Sequence, residues 1–468
     1  MKRALWIGAF LGVLSATAQP RVVLVDVDGI RRDTFEAAYL SGKLPNLESI
    51  LGEVREGKGF GSSLWFENAT AVFPAITMAG QASLATGVAP SRHGIPGNQW
   101  FERNTNRVID YFSSTGVPCV YGVLIVAVRE CAGGMANQHL QVPTMYEAAS
   151  AAGKTSTVVF SQYWKGATHS VQPSLSDVGY LVKGNIVNYQ KFDEIMMDHA
   201  LESLHKDGLP DLLTIYFIGA DGVGHKGGTQ AQAAYLKQTF DAQLGRLIKT
   251  LNELDTDWRG HTQFIFTADH GRTDTKASAQ DAALEGNIQK ALERSGYLAD
   301  QYRIVENGGV VHIYLRSKVM GARWEVQPRS EDVEAIAQTL AKDAPLKATV
   351  ELVASRRNGS GYGYTLTRLD REDASQISSL LASLESPRSG DIVLLLKQGR
   401  YFGNTELAGA QHGSIFPNDL AIPLVIAQGG AGPGRSPAPI STPDIPAIIS
   451  AYLGFSLTPV AGAHFVTR

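Results

Sequence analysis

The chain predicts an α/β fold, a parallel sheet with helices on both faces, carrying an α+β insertion. Three observations predict it. Four short apolar runs, "RVVLVDVDG" (21–29), "STVVF" (156–160), "LLTIYFIGADG" (212–222) and "TQFIFTADHG" (262–271), are β-branched or aromatic and stop at glycine or polar residues. Helical patterns lie between them, and strands alternating with helices imply a parallel sheet. From Gln301 to Phe402 the texture changes to closely spaced strands around one helix.

In chain order, the first 18 residues read as a secretory signal peptide. Lys2 and Arg3 precede an apolar run from Ala4 to Leu14, and Ala16-Thr17-Ala18 offers a small-x-small exit. The run is well short of the roughly 20 residues a membrane span requires. Cleavage after Ala18 is expected, with a secreted or periplasmic product. Loss of Lys2 and Arg3 takes the formal net charge from -3 to -5. Only two cysteines follow, Cys119 and Cys131, and in an exported protein such a pair favours one local disulfide. The clearest helix is 229–254, where Ala233, Leu236, Phe240, Leu244, Leu247 and Leu251 keep a helical period. The insertion spans 301–402, with strands in "VVHIYLRS", "KATVELVAS", "GYTLTRL" and "GDIVLLLKQGRYFG" and a helix in "SEDVEAIAQTLAKD". The core is expected over 19–300 and 403–468, with "GGAGPGRSPAP" (429–439) as a surface loop.

Composition is that of a globular chain: 468 residues, 44% hydrophobic and 19% charged, with a pI near 6.4. It offers no basic surface for nucleic acid, and it leaves the oligomeric state open. The informative residues sit where strands end, at the edge where open α/β sheets bind ligands. "VDVDG" offers Asp28, "GADGVGH" offers Asp221 and His225, "TADHG" offers Asp269 and His270, and "GAQHG" offers His412. Burying such charge beside a core strand is costly unless a metal, a salt bridge or solvent compensates it. Mixed carboxylates and imidazoles suit zinc or manganese better than calcium or magnesium. Six ligands are too many for one catalytic zinc and about right for two.

These motifs resemble the alkaline phosphatase superfamily, in its type I phosphodiesterase/nucleotide pyrophosphatase branch. That branch carries an Asp-Gly after its first strand, an Asp-x-x-Gly-His, an Asp-His-Gly and a late x-His-Gly, in this order. The resemblance implies a three-layer core and two zinc ions, with manganese or iron able to use the same ligands. One metal would be held by Asp221, His225 and His412, the other by Asp28, Asp269 and His270. The nucleophile would be Thr77 in "FPAITMAGQASLATGVAPSRHGIPGN", with its oxygen on a metal, and Asn98 would hydrogen-bond a phosphoryl oxygen. The chemistry is consistent: a threonine hydroxyl needs a metal or base to become a nucleophile, and helix N-terminal amides meet phosphate oxygens. Read without the family, Thr77 could equally be an ordinary N-cap.

Departures from the family bear on substrate. Met78 stands where nucleotide-hydrolysing relatives carry phenylalanine, and Gln81 where they carry histidine. Tyr216 matches a second stacking position. Lys165, in "YWKGATH" (163–169), replaces a proline near the pocket. Turned inward, its charge would favour a phosphate monoester dianion; turned outward, it is a solvated lysine. The expectation is therefore an exported two-metal hydrolase of phosphate diesters or nucleotide pyrophosphates acting through a phospho-threonine. A monoesterase is the first alternative, and a non-catalytic binding relative the second. A sulfatase would need cysteine or serine at position 77. The substrate in each case is a small phosphorylated molecule.

Overall fold

The computed structural model describes residues 19–53, 62–113, 116–122, 131, 133–174, 176–177, 188–275, 283–357, 362–402 and 409–457. The proposed signal peptide lies outside them. In chain order the strands are β1 (Arg21–Val27), β2 (Ser63–Thr70), β3 (Gln99–Glu102), β4 (Arg107–Asp110), β5 (Ser156–Val159), β6 (His169–Val171), β7 (Leu212–Phe217), β8 (Thr262–Thr267) and β9 (Thr273–Asp274). They continue with β10 (Tyr302–Asn307), β11 (Val310–Leu315), β12 (Val350–Arg356), β13 (Tyr364–Leu369), β14 (Ile392–Leu396), β15 (Ala410–Gln411), β16 (Leu424–Ala427) and β17 (Gly434–Ser441).

Eight strands form the central sheet in the order β17-β2-β16-β8-β1-β7-β5-β6. β1 runs parallel to β7 and β8 on either side, with Val25 opposite Ile215 and Phe266. Its valines and Leu24 are buried because both sheet faces are covered, which explains a continuous rather than alternating apolar pattern. Each such side chain contributes about 1.5–3 kcal/mol of burial. Because these three strands are parallel and in register, their carboxyl ends open on one edge. Asp28 follows β1 there, and its backbone N–H donates to Phe217 O at 2.9 Å.

One expectation holds and one needs revision. The helix expected from 229 starts there, after Gly228 breaks the run with φ 64° and ψ -161°, and a shorter helix from Gly219 precedes it, carrying "ADGVGH" (220–225). Asp193 explains that earlier helix: its carboxylate accepts the N–H groups of Ile218 (3.1 Å) and Gly219 (2.8 Å), satisfying a helix start that lacks a local cap. Asp221 and His225 therefore stand one turn apart on a helix face. The loop expected over 429–439 is partly strand: β17 pairs with β2 at the sheet edge. Its Pro437 and Pro439 are tolerated there because an edge strand has one side without ladder partners.

The second lobe is a five-stranded sheet in the order β10-β11-β14-β12-β13, each neighbouring pair antiparallel. Its two faces are read from β14. Ile392, Leu394 and Leu396 pack with the helices Leu284–Arg294 and Ser330–Lys342, so this cluster includes a helix that precedes residue 301. Val393 and Leu395 pack on the other side with Ile377, Leu381 and the core residues Phe73, Ile415 and Phe416. Cys119 and Cys131 form a disulfide. No helix among the described residues is long and apolar enough to cross a membrane.

Candidate active site

Thr77 opens the helix Thr77–Thr86, every residue of which is buried. Small side chains make this possible: Ala79, Gly80, Ala82, Ser83 and Ala85 let the helix lie inside the fold. Gly80 is required by a close approach, since a Cβ there would sit 2.5 Å from the Asp269 carbonyl oxygen. The helix thus presses its first turn against the strand-end acids. Thr77 is not an N-cap; its side chain makes no capping bond, and its Oγ1 lies 3.3 Å from His270 Nε2. The Met78 N–H donates to Asn98 Oδ1 at 2.9 Å, which leaves the donor end of Asn98 beside Thr77.

The acids around Thr77 share one arrangement. Asp269 Oδ1 accepts the N–H groups of Gly29 (3.1 Å) and His270 (2.9 Å), while its buried Oδ2 accepts no hydrogen bond. Asp28 Oδ2 accepts the Tyr216 hydroxyl, while its buried Oδ1 accepts none. These two bare oxygens lie 3.8 and 3.4 Å from His270 Nε2. Burial, then the charges of Asp269 and Asp221, raise the Asp28 carboxyl well above its ordinary value. Asp26 is raised by burial and by Asp269, although Gln81, in the expected histidine position, donates to it.

A second group lies beside the first. His225 Nε2 is 3.0 Å from Asp221 Oδ2, and His412 Nε2 is 3.8 Å from Asp221 Oδ1. The His270 and His412 rings stack with centroids 3.9 Å apart. Burial would raise Asp221, but the fixed charge of Arg272, the largest opposing effect, holds it well below the usual carboxylate range. Burial holds His412 well below its ordinary value.

All three histidines are oriented alike. Nδ1 of His225, His270 and His412 faces the carbonyls of Ala410 (3.1 Å), Gly271 (2.8 Å) and Ala75 (3.2 Å). A carbonyl can only accept, so each Nδ1 carries a proton, and Nε2 of each ring is the atom turned to the site. Bare buried carboxylate oxygens facing imidazole Nε2 atoms fit a metal ion. Two compact groups with that chemistry are present among the described residues: Asp28, Asp269 and His270; and Asp221, His270 and His412. His270 belongs to both, while His225 joins the second through Asp221.

Asp28, Thr77, Asn98, Tyr216, Asp221, His225 and His412 line one cavity of about 670 Å³. Tyr216 is nearly fully buried and spends its hydroxyl on Asp28, so it holds that carboxylate. Lys165 is not brought to this cavity. Its ammonium lies 3.3 Å from Glu147 with the side chain half exposed, because the backbone N–H groups of Trp164 and Lys165 are held by Asn137 Oδ1. Met78 is buried in the core.

Sequence reasoning placed the 301–402 insertion near the site but named none of its cavity residues, and it missed Tyr189. Tyr189, at the start of the helix Tyr189–Asp207, lines the cavity. Burial and the nearby Asp221 and Asp28 push its hydroxyl up to about 12. Glu306, Asn307, Gly308 and Phe402 close the opposite wall. Asn307 bonds the Gln99 backbone in both directions at 3.0 Å, clamping the lobe beside Asn98. Asn307-Gly308-Gly309 is the turn of the β10–β11 hairpin, and an Asn-Gly pair signals such a turn without showing where its tip docks.

The profile of the family described as type I phosphodiesterase / nucleotide pyrophosphatase matches residues 22–415. Over 262 residues the chain is 27% identical to ectonucleotide pyrophosphatase/phosphodiesterase family member 3 of Rattus norvegicus, covering 55% of this chain and 25% of that protein. It is 24% identical over 278 residues to alkaline phosphatase PhoD of Zymomonas mobilis, covering 57% of this chain and 45% of that one. The matches thus span a quarter to just under half of these relatives. Murine ectonucleotide pyrophosphatase/phosphodiesterase 5, an inactive variant in complex with AMP, shares the fold with a TM-score of 0.63 at 15% identity, over 95% of this chain and 98% of that one. With both metal-fitting groups and the matched span in hand, the chain belongs to the type I phosphodiesterase/nucleotide pyrophosphatase family of the alkaline phosphatase superfamily.

Proposed function

We propose that the protein hydrolyses phosphate diesters, nucleotide esters and pyrophosphates among them, through a covalent phospho-Thr77, and that it does so after export. The observation that carries the diester reading is the charge of the cavity. None of its described lining residues is lysine or arginine, and Glu306 adds a carboxylate to the lining. Lys165, whose inward charge would favour a monoester dianion, faces Glu147 instead. A monoanionic diester suits such walls better, and Tyr189, Tyr121, Phe160 and Phe402 offer apolar faces to an ester group. AMP bound to the murine structural relative supports a nucleotide as one such group.

Asp28, Asp269 and His270 would hold one metal, and Asp221, His225 and His412 the other. Two zinc ions, or manganese or iron, would supply Lewis-acid charge for the attacking and leaving oxygens. Thr77 Oγ1 gives up its proton as it attacks phosphorus, the P–O bond to the leaving group breaks, the leaving oxygen takes up a proton, and Thr77 carries the phosphoryl ester. Asn98 Nδ2 donates to a phosphoryl oxygen. Water then attacks phosphorus, the Thr77 O–P bond breaks and the hydroxyl regains its proton. The leader, the disulfide and the absence of other cysteines support export.

The test compares a p-nitrophenyl nucleotide ester with p-nitrophenyl phosphate, with and without chelator, beside Thr77→Ala. Diester turnover should exceed monoester turnover by on the order of a hundredfold in kcat/KM and vanish in both controls. A monoester preference would transfer the assignment to a phosphatase, the reading favoured by the Zymomonas mobilis relative. Cell fractionation with and without residues 1–18 tests export.

A further inference from the structure

Arg272 follows His270 by two residues and lies fully buried behind Asp221, outside the cavity lining. Its Nη1 donates to the Asp221 carbonyl at 3.0 Å, and its Nη2 donates to Asp221 Oδ1. The fold makes room for it deliberately: a Cβ on Gly224 would lie 1.6 Å from Arg272 Nη1. A guanidinium keeps its charge in any protein environment. The two ligand groups therefore differ in fixed charge. Asp28 and Asp269 bring two carboxylates whose free oxygens accept no hydrogen bond and lie 3.4 and 3.8 Å from His270 Nε2. Asp221 brings one, and Arg272 already neutralises it from behind.

We propose that Arg272 makes the two metal positions unequal, so that the Asp28–Asp269–His270 position fills first and the Asp221–His225–His412 position is the weaker, exchangeable one. Two physical effects act in the same direction. A positive charge bonded to a ligand's carboxylate repels an incoming divalent cation, and the count of uncompensated carboxylates sets affinity for hard and borderline cations. Arg272 also ties Asp221 Oδ1, so that Oδ2, beside His225, is the oxygen left to offer a metal. Arg272 acts through Asp221 and is a positioning residue. This inference rests on the two-metal reading above.

The experiment titrates chelator-stripped protein with Zn²⁺ by calorimetry and with Co²⁺ by visible absorption, for wild type, Arg272→Met and Arg272→Lys. Thermal unfolding is followed for each protein, stripped and loaded. Wild type should bind two ions in two resolved steps, the dissociation constants differing by on the order of tenfold or more. Arg272→Met should tighten the second step and narrow the gap, while Arg272→Lys keeps it. Stripped Arg272→Met should melt below stripped wild type, because Asp221 loses its partner, and should gain more on loading. Loss of stability by the same amount in stripped and loaded forms would mean a merely structural arginine and would overturn the proposal. Two equal steps in wild type would overturn it too. If Arg272→Met does not fold, the proposal stands or falls on the wild-type steps together with their retention in Arg272→Lys. Binding of no metal by folded wild type would sink the two-metal reading itself, a result distinct from two equal steps.

Discussion

Two buried carboxylate settings in this molecule make opposite use of the same chemistry. In the lobe, Asp391 Oδ2 is 2.5 Å from Arg103 Nη2 and accepts the Leu315 N–H at 2.7 Å, and Arg356 Nη1 lies 3.8 Å from its other oxygen. Arg103 comes from the turn after β3 and also donates to the carbonyls of Leu315 and Trp324, so it fastens the core hairpin into the lobe. At the strand ends, Asp28 and Asp269 are as deeply buried, yet each leaves one oxygen bare and faces another acid. Complete internal compensation marks a structural charge. Charge left uncompensated, with histidine Nε2 atoms turned toward it, marks a place built for something the chain does not itself contain.

The contrast can be broken from the site side first. Asp269→Asn should lower diester turnover by about 10³-fold or more, measured as kcat/KM with excess metal. The same substitution should stabilise the stripped protein by about 1 kcal/mol by relieving like-charge repulsion, measured by urea denaturation in chelator. From the lobe side, Arg103→Met should cost about 3–5 kcal/mol of stability, because Asp391 is left buried and unpaired. Its metal content per folded chain should not change. A stabilised stripped Arg103→Met, or a destabilised stripped Asp269→Asn, would reverse the comparison.

Loading itself should raise stability by about 2.7 kcal/mol at metal a hundredfold over its dissociation constant, visible as a rise in the melting temperature. The smallest effect sharpens the comparison with pH. His93 and His312 are buried and held near 3, by burial first and then by Arg388 and Arg356 respectively. Unfolded histidine titrates near 6.5, so below that pH the unfolded chain binds protons the folded chain refuses. Stability is therefore full above about pH 6.5 and falls toward pH 3, by about 1.4 kcal/mol per pH unit for each histidine. His139 and His412 are lowered too, so His312→Asn should remove about a quarter of the histidine-dependent slope between pH 6 and 5. An unchanged slope would mean that His312 is not held neutral.

How much of this was legible in the sequence follows from where charge sits. Asp28, Asp269 and His270 stood out because an acid or histidine at the end of a fully apolar strand demands a reason. Thr77 needed the family pattern, since the physics alone allowed a cap, and only the packing of Gly80 against Asp269 brings its helix over the acids. Tyr189 was illegible because it is 32 residues from Asp221, on the far side of the β7 strand. Tyr216 was read as a stacking ring, but its hydroxyl finds Asp28, a pairing set by the β1–β7 register. Asp274 caps Thr229 through its N–H (2.8 Å) and hydroxyl (2.7 Å), which sequence distance alone could not show.

Everything proposed for this site requires the bare oxygens and imidazoles at the strand ends to hold two metal ions over Thr77. The most direct test is elemental analysis of the protein purified without chelator and dialysed against trace zinc, for wild type and the Asp28→Asn/Asp269→Asn double variant. Wild type should carry close to two ions per chain, and the double variant at least one fewer. Metal-free wild type that still turns over a diester, with the double variant equally active, would contradict it.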